Sequence, residues 1–151
     1  SKDKRYWHTE VGFNYRMTNL QAALGFAQFE RIDEILARKK LIFEWYQKGL
    51  KDLKCIKLNY QAHWARNVYW MVCIEIDGYC MIQRDEFIKK LKYIGIDCRP
   101  YFHPISDMPM YVKAHTPIAH NVSQRGVNLP SYFDLKKEQV AYICKNVREI
   151  L

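Results

Sequence analysis

Asn14 and Arg16 stand one residue apart in the stretch GFNYRMTNLQAALGFAQFER, Gly12 to Arg31, directly ahead of a run carrying Ala22, Ala23, Gly25 and Ala27. An amide donor plus a guanidinium fork suits phosphate oxygens. A position just before a helix N-terminus adds unpaired N–H groups and a favourable dipole. On residue type alone the pair reads first as a loop asparagine holding a turn and a surface arginine. Arg99, followed by Pro100, reads alone as a solvated edge residue, and His8 in the stretch YWH as a packed, satisfied histidine. The five cysteines, Cys55, Cys73, Cys80, Cys98 and Cys144, are scattered without a C-x-x-C pair. Neither a zinc site nor a disulfide framework is indicated, and no metal ligand set is assigned. The thiols read as reduced and mostly buried in a cytosolic protein.

The elements that must carry these residues follow from periodicity. Residues 1–17 lack a helical period and read as an extended arm. Thr18 and Gln21 form a capping box, which starts a helix. Apolar residues then recur at Leu20, Leu24, Ala27, Ile32, Ile35 and Leu36, which predicts one buried helical stripe. The helical signal runs to about Leu53, long enough to expect a bend or break near Phe29–Arg31, with Gly25 and Ala27 allowing close packing against another backbone. CIKL is a weak first strand, and 67–76, NVYWMVCIEI, is the clearest strand, with Tyr69 and Trp70 expected in the core. Residues 83–95 predict a helix with early acids, late lysines and a terminal glycine. Residues 96–102 form a short strand interrupted by Pro100, followed by a proline-punctuated loop with one helical turn near 108–113. A short helix over 117–126, an extended link VNLPSY and a final helix over 134–151, capped by Asp134, complete the chain. This is an α+β layer: a long N-terminal helix plus a small sheet covered by helices.

The bulk numbers fit one globular domain. The chain has 151 residues, 49% of them hydrophobic and 26% charged, and no apolar run long enough to cross a bilayer. It opens SKDKRYWH without an initiator Met, as expected of a piece of a longer polypeptide. A net charge of +8 with eleven tyrosines and four tryptophans raises a nucleic-acid reading. Acids and bases alternate along ERIDEILARKKLIFEWYQKGLKDLK as on a solvated helix face, however, and the usual nucleic-acid-binding signatures are missing. A phosphorylated small molecule is the favoured partner for the basic charge.

With the elements placed, three segments carry a resemblance. RYWHTEVGFNYRMTNLQAALGFAQFERIDEILARKK, GIDCRPYFHPISDMPMY and VNLPSYFDLKKEQVAYICKNV resemble, in family order, segments of the DegT/DnrJ/EryC1/StrS sugar-nucleotide aminotransferases, nearest to the perosamine-synthase type. The resemblance implies the small carboxyl-terminal domain of a fold-type-I transferase that uses pyridoxal 5'-phosphate. Such enzymes move an amino group, usually from glutamate, onto a nucleotide-linked keto-deoxysugar, here of the 4-keto-6-deoxy kind that serves cell-surface polysaccharide. They act as cytoplasmic homodimers with active sites at the subunit boundary.

Carried onto this chain, the family pattern makes 1–17 an extended interface arm, 18–53 a long helix, with the break expected above, leading from a large domain, and 54–151 a small α/β domain. Asn14 and Arg16 match the family's Asn-x-Arg, which reaches the cofactor phosphate or the substrate of the other subunit. Arg99 lies in the segment at the active-site mouth, where a carboxylate of the amino donor or a substrate phosphate would meet it. His103 stands where relatives often carry an aromatic, and His8 could line the interface; both are candidate substrate contacts. Ser106 stands where many relatives have His. No catalytic residue is assigned within this chain: every lysine falls on an exposed helical face or in a loop, none in a Gly-rich strand-turn like the family's Schiff-base segment. The chain alone is therefore expected to be inactive. The alternatives are a non-catalytic dimerisation or binding module and a basic nucleic-acid-binding domain.

Overall fold

Val72, Ile74 and Ile76 alternate with Cys73 and Glu75, and that period of two sets the inner and outer faces of the sheet. The computed structural model describes residues 4–78, 80 and 82–151. Its elements in order are α1 (Asn19–Phe29), α2 (Ile32–Leu50), β1 (Ile56–Leu58), β2 (Val72–Ile76), α3 (Arg84–Tyr93), β3 (Arg99–Pro100), a 3₁₀ turn (Ile105–Asp107), α4 (Pro117–Arg125), β4 (Gly126–Leu129) and α5 (Lys137–Ile150). The four strands form one antiparallel sheet in the order β1-β2-β4-β3, with Ile74 opposite Val127 and Arg99 opposite Asn128. Pro100, which has no N–H to give, sits on the outermost strand, where a missing donor costs least.

The core lies between the inner sheet face and the helices. Ile42, Phe43, Tyr46 and Leu50 of α2 and Val140, Ile143, Cys144 and Val147 of α5 are buried against Val72, Ile74, Val127 and Leu129. Phe87 and Leu91 of α3 close the third side. Each such side chain contributes about 1.5–3 kcal/mol by leaving water. Tyr46 is fully buried only because its hydroxyl donates to Pro130 O at 2.8 Å. Helix α3 ends as its sequence predicts. Gly95 takes φ +83, its N–H donates to Lys92 O at 3.0 Å, and Ile96 N donates to Leu91 O at 2.9 Å. That pair of bonds is the Schellman closure, and an L side chain at Gly95 would be strained.

Several expectations need correction. The stripe through Leu20, Leu24 and Ala27 is not buried. α1 buries no residue, and Leu20 and Leu24 are 85% and 64% exposed. Only Ile35 and Leu36, beyond the break at Glu30–Arg31, become half-buried. A Cβ added at Gly25 would meet no neighbouring element within 4 Å. Amphipathic period shows that a face wants cover, and within this chain α1 finds none. The central strand begins at Val72 rather than residue 67, since Asn67 instead holds a turn by accepting from Tyr69 N at 2.8 Å. Trp70 is accordingly exposed, although Tyr69 stacks on Phe43 at 4.0 Å between centroids. The turn expected near 108–113 forms at Ile105–Asp107, and the link after α4 begins as strand β4. The last helix is capped at Lys136, not Asp134: Lys136 N donates to Gln139 Oε1 at 2.8 Å, so Gln139 supplies the acceptor. Two cysteines, Cys98 and Cys144, are buried and the other three half-buried, all free thiols.

Candidate functional site

The residues Lys4–His8 return to the body of the molecule and lie along the loop that follows β3. Tyr101 N donates to Gly126 O at 3.0 Å, continuing the β3–β4 ladder by one residue. The Tyr101 ring then lies over Gly126, where an added Cβ would sit 2.1 Å from the ring, so only glycine lets this loop approach β4. Beyond it, Phe102 meets the Tyr6 ring at 4.7 Å and His103 meets the Trp7 ring edge-on at 5.3 Å. His8 N points at Met108 Sδ, 3.5 Å away. Three sequence-predicted residues are thus gathered by one short segment: His8 belongs to it, His103 packs on it, and Arg99 is influenced by Tyr6.

Their electrostatics differ. Burial, and then the nearby Lys4 ammonium, push the His103 pKa below its ordinary 6.5, so this imidazole is held neutral. Arg99 lies 3.3 Å from Asp97 and is exposed. The Tyr6 hydroxyl and Asp97 both raise its pKa, keeping the fork charged. It opens onto a groove of about 770 Å³ that also displays Tyr132, Glu138 and Tyr142.

Asn14 and Arg16 stand apart from this cluster. Asn14 Oδ1 accepts from Arg16 N at 2.8 Å, and Arg16 adopts φ +67. The asparagine therefore does hold a turn. Its side-chain NH₂ and the Arg16 guanidinium donate to no other group among the described residues, and both residues are exposed. Two residues on, Thr18 Oγ1 accepts from Gln21 N at 3.3 Å while Gln21 Oε1 accepts from Thr18 N at 2.9 Å, the expected capping box. Unspent donors beside a capped helix start fit a phosphate group. A Schiff-base lysine does not emerge. Lys39, the one described lysine that corrects the expectation of full exposure, is half-buried, and its ammonium donates to Ser131 O and to Trp70 O, the latter at 3.1 Å. Burial lowers its pKa, but both contacts are structural, joining α2 to the segment after β4 and to the residues before β2.

Two features escaped sequence reasoning. The outer sheet face opens a cleft of about 540 Å³ between β2 and α4. Cys73 Sγ donates there to Asn128 Oδ1 at 3.2 Å, and Glu75 pairs with Arg125 at 3.2 Å. The alternation in VCIEI already placed Cys73 and Glu75 on one face, although the cover supplied by α4 was not readable. The second is a chain of polar contacts from Ser106 through Thr116 and His120 to Asp107. Its members share no motif spacing, so no sequence signal marked it. Among the described residues no group of three potential ligands could hold a metal, and no helix is long and apolar enough to cross a membrane.

Comparison with known proteins matches this architecture. GDP-perosamine synthase of Escherichia coli O157:H7 is 38% identical over 148 residues, which cover 97% of this chain and 40% of that protein. DesI, solved with its TDP-sugar product, superposes with a TM-score of 0.78 at 22% identity, over 91% of this chain and 36% of that one. The Streptococcus pneumoniae protein Spr1654, solved in a PLP form, gives a TM-score of 0.76 at 21% identity, over 90% of this chain and 37% of that one. The chain spans about 40% of the length of the curated relative. The model of the DegT/DnrJ/EryC1/StrS aminotransferase family matches residues 1–148, and the chain belongs to that family.

Proposed function

We propose that the chain is the carboxyl-terminal portion of an aminotransferase that uses pyridoxal 5'-phosphate to move an amino group from glutamate to a nucleotide-linked 4-keto-6-deoxy sugar of the perosamine type. The observation that carries this reading is the exposed stretch 8–34, within which Asn14 and Arg16 keep donors that no described group of this chain accepts. A polar pair so presented suits an anion held by a companion subunit in a cytoplasmic homodimer. When bound, the cofactor supplies the electron sink for amino transfer. Asn14 and Arg16 would hold its phosphate or the substrate across the subunit boundary. Arg99 would orient a carboxylate or phosphate, and neutral His103, with His8 beside it, would offer hydrogen bonds to the sugar. Among the described residues no lysine is placed to bind the cofactor covalently, and the chain alone is expected to be inactive.

In the full-length protein, replacing Asn14 and Arg16 together with Ala should weaken cofactor retention, read as loss of bound-cofactor visible absorbance on dialysis. Unchanged affinity in that double variant would refute their role. The exposed arm also favours a second reading, a non-catalytic dimerisation module. An in-frame Gly-rich segment with a lysine in the upstream coding sequence would exclude it.

A further inference from the structure

His120 is held at both ring nitrogens. Nε2 lies 2.6 Å from Asp107 Oδ1, and Nδ1 lies 2.7 Å from the Thr116 carbonyl oxygen and 3.0 Å from the Thr116 hydroxyl. A carbonyl and a carboxylate only accept, whereas a neutral imidazole carries a single N–H. The neutral tautomer with Nδ1–H would press a bare Nε2 lone pair against the carboxylate, and the one with Nε2–H would leave Nδ1 against the carbonyl oxygen with the Thr116 hydroxyl alone able to donate to it. Imidazolium donates to both. The same clamp catches the neighbouring residue, since Thr116 Oγ1 lies 3.1 Å from Ser106 Oγ. Ser106 and Asp107 belong to the 3₁₀ turn, one residue beyond His103-Pro104. Helix α4, which carries His120, supplies Ala119, Val122 and Ser123 to the cleft whose opposite wall includes Phe102 and Pro104.

We propose that His120, carried as imidazolium between Asp107 and the Thr116 carbonyl, is a positioning residue that ties α4 to the turn behind His103. The functional part of this inference rests on the reading that the His103 loop meets the sugar substrate. The charged surroundings are simple. Asp107 faces the ring from the turn. Arg84 of α3 reaches α4 only at Ser123 O, and Arg125 turns to Glu75 of β2. Lys113 and His115 are exposed on the preceding loop. The Thr116 backbone contact, then Asp107, raise the His120 pKa above its ordinary 6.5. Loss of the proton at higher pH leaves the ring one N–H, so it no longer donates both to Asp107 and to the Thr116 carbonyl, which keeps the His120 backbone N–H, and the tie between helix and turn weakens.

The test uses the full-length enzyme, labelled at histidine Cε1, with the His120 signal assigned by its absence in His120→Gln. In the wild type, His120 should titrate above 6.5, and Asp107→Asn should lower that value. The KM for the nucleotide sugar should rise as His120 deprotonates, with kcat little changed. His120→Gln should show a KM raised roughly three- to tenfold at neutral pH and no alkaline limb. Amide exchange over 119–121 should quicken in the same variants. Titration of His120 at or below 6.5, or a KM profile of His120→Gln superimposed on the wild type, would overturn the proposal. Should His120→Gln not fold, the near-isosteric Asp107→Asn supplies the same three readouts. A parent without transaminase activity would refute the proposed function, while the titration and exchange would still decide the tie.

Discussion

At the scale of single residues, His103 of the loop after β3 and His120 of α4 are tuned in opposite senses. His120 gains an acceptor at each nitrogen and favours its charged form, so the stability it lends is fully present below its ordinary 6.5 and is lost as pH rises through the raised folded value. His103 is desolvated beneath Trp7 and next to Lys4, so its folded value is depressed. The unfolded chain then binds the extra proton first, and the stability that neutral His103 provides is lost as pH falls from its ordinary 6.5 toward the lower folded value. Denaturant midpoints of wild type and His103→Asn, compared across that window, should converge as the pH drops. A constant difference would mean that His103 does not titrate there with a lowered pKa. Charge at single residues also turns inward. Arg38 donates to Phe133 O and Leu135 O at 2.9 and 2.8 Å, and Arg148 to Gly49 O at 2.8 Å. In the sequence these cations look like solvated decoration, because nothing local announces a carbonyl some ninety residues away.

At the scale of elements, α1 is the outlier. Its 11 residues fall short of the ~12–15 that an isolated helix needs to be even marginally stable in water. Packing within this chain adds nothing, so the capping box carries an unusual share of its stability. Thr18→Ala should remove about 1 kcal/mol from α1 alone. Amide protection over 19–29 should fall while the global unfolding midpoint stays put; a coordinate shift of that midpoint would show that α1 is coupled to the core after all. What the sequence disclosed follows the same logic. The glycine end of α3 and the break at Glu30–Arg31 were legible because each is written in adjacent residues. Burial of the Leu20–Leu24 face, the placing of Trp70 and the capping of α5 were misread, since they depend on which partner is present and which competing turn forms. Asn14 and Arg16 were visible as a motif. The bond from Asp107 to His120 was not, because thirteen residues of proline-broken loop and helix separate its ends.

At the scale of the whole molecule, a covered core and an uncovered limb coexist. Phe13, Leu20, Leu24 and Phe29 are each at least 64% exposed, an apolar surface that a lone soluble domain rarely leaves open. In the full-length protein, Leu20→Glu with Leu24→Glu should shift sedimentation toward the monomer and reduce cofactor retention together. Unaltered sedimentation would overturn α1 as part of the proposed subunit contact. The net charge of +8 weighs less toward nucleic acid once Arg38, Lys39, Arg84 and Arg148 are seen donating to carbonyl oxygens. The limb has a further consequence for the molecule's lifetime. A trypsin-like protease arriving before any companion would find Arg16 and Arg31 in reach and every buried side chain out of it. A cut after Arg31 would leave a stub running from α2 onward that has forfeited Asn14 and Arg16, the proposed anion contacts, together.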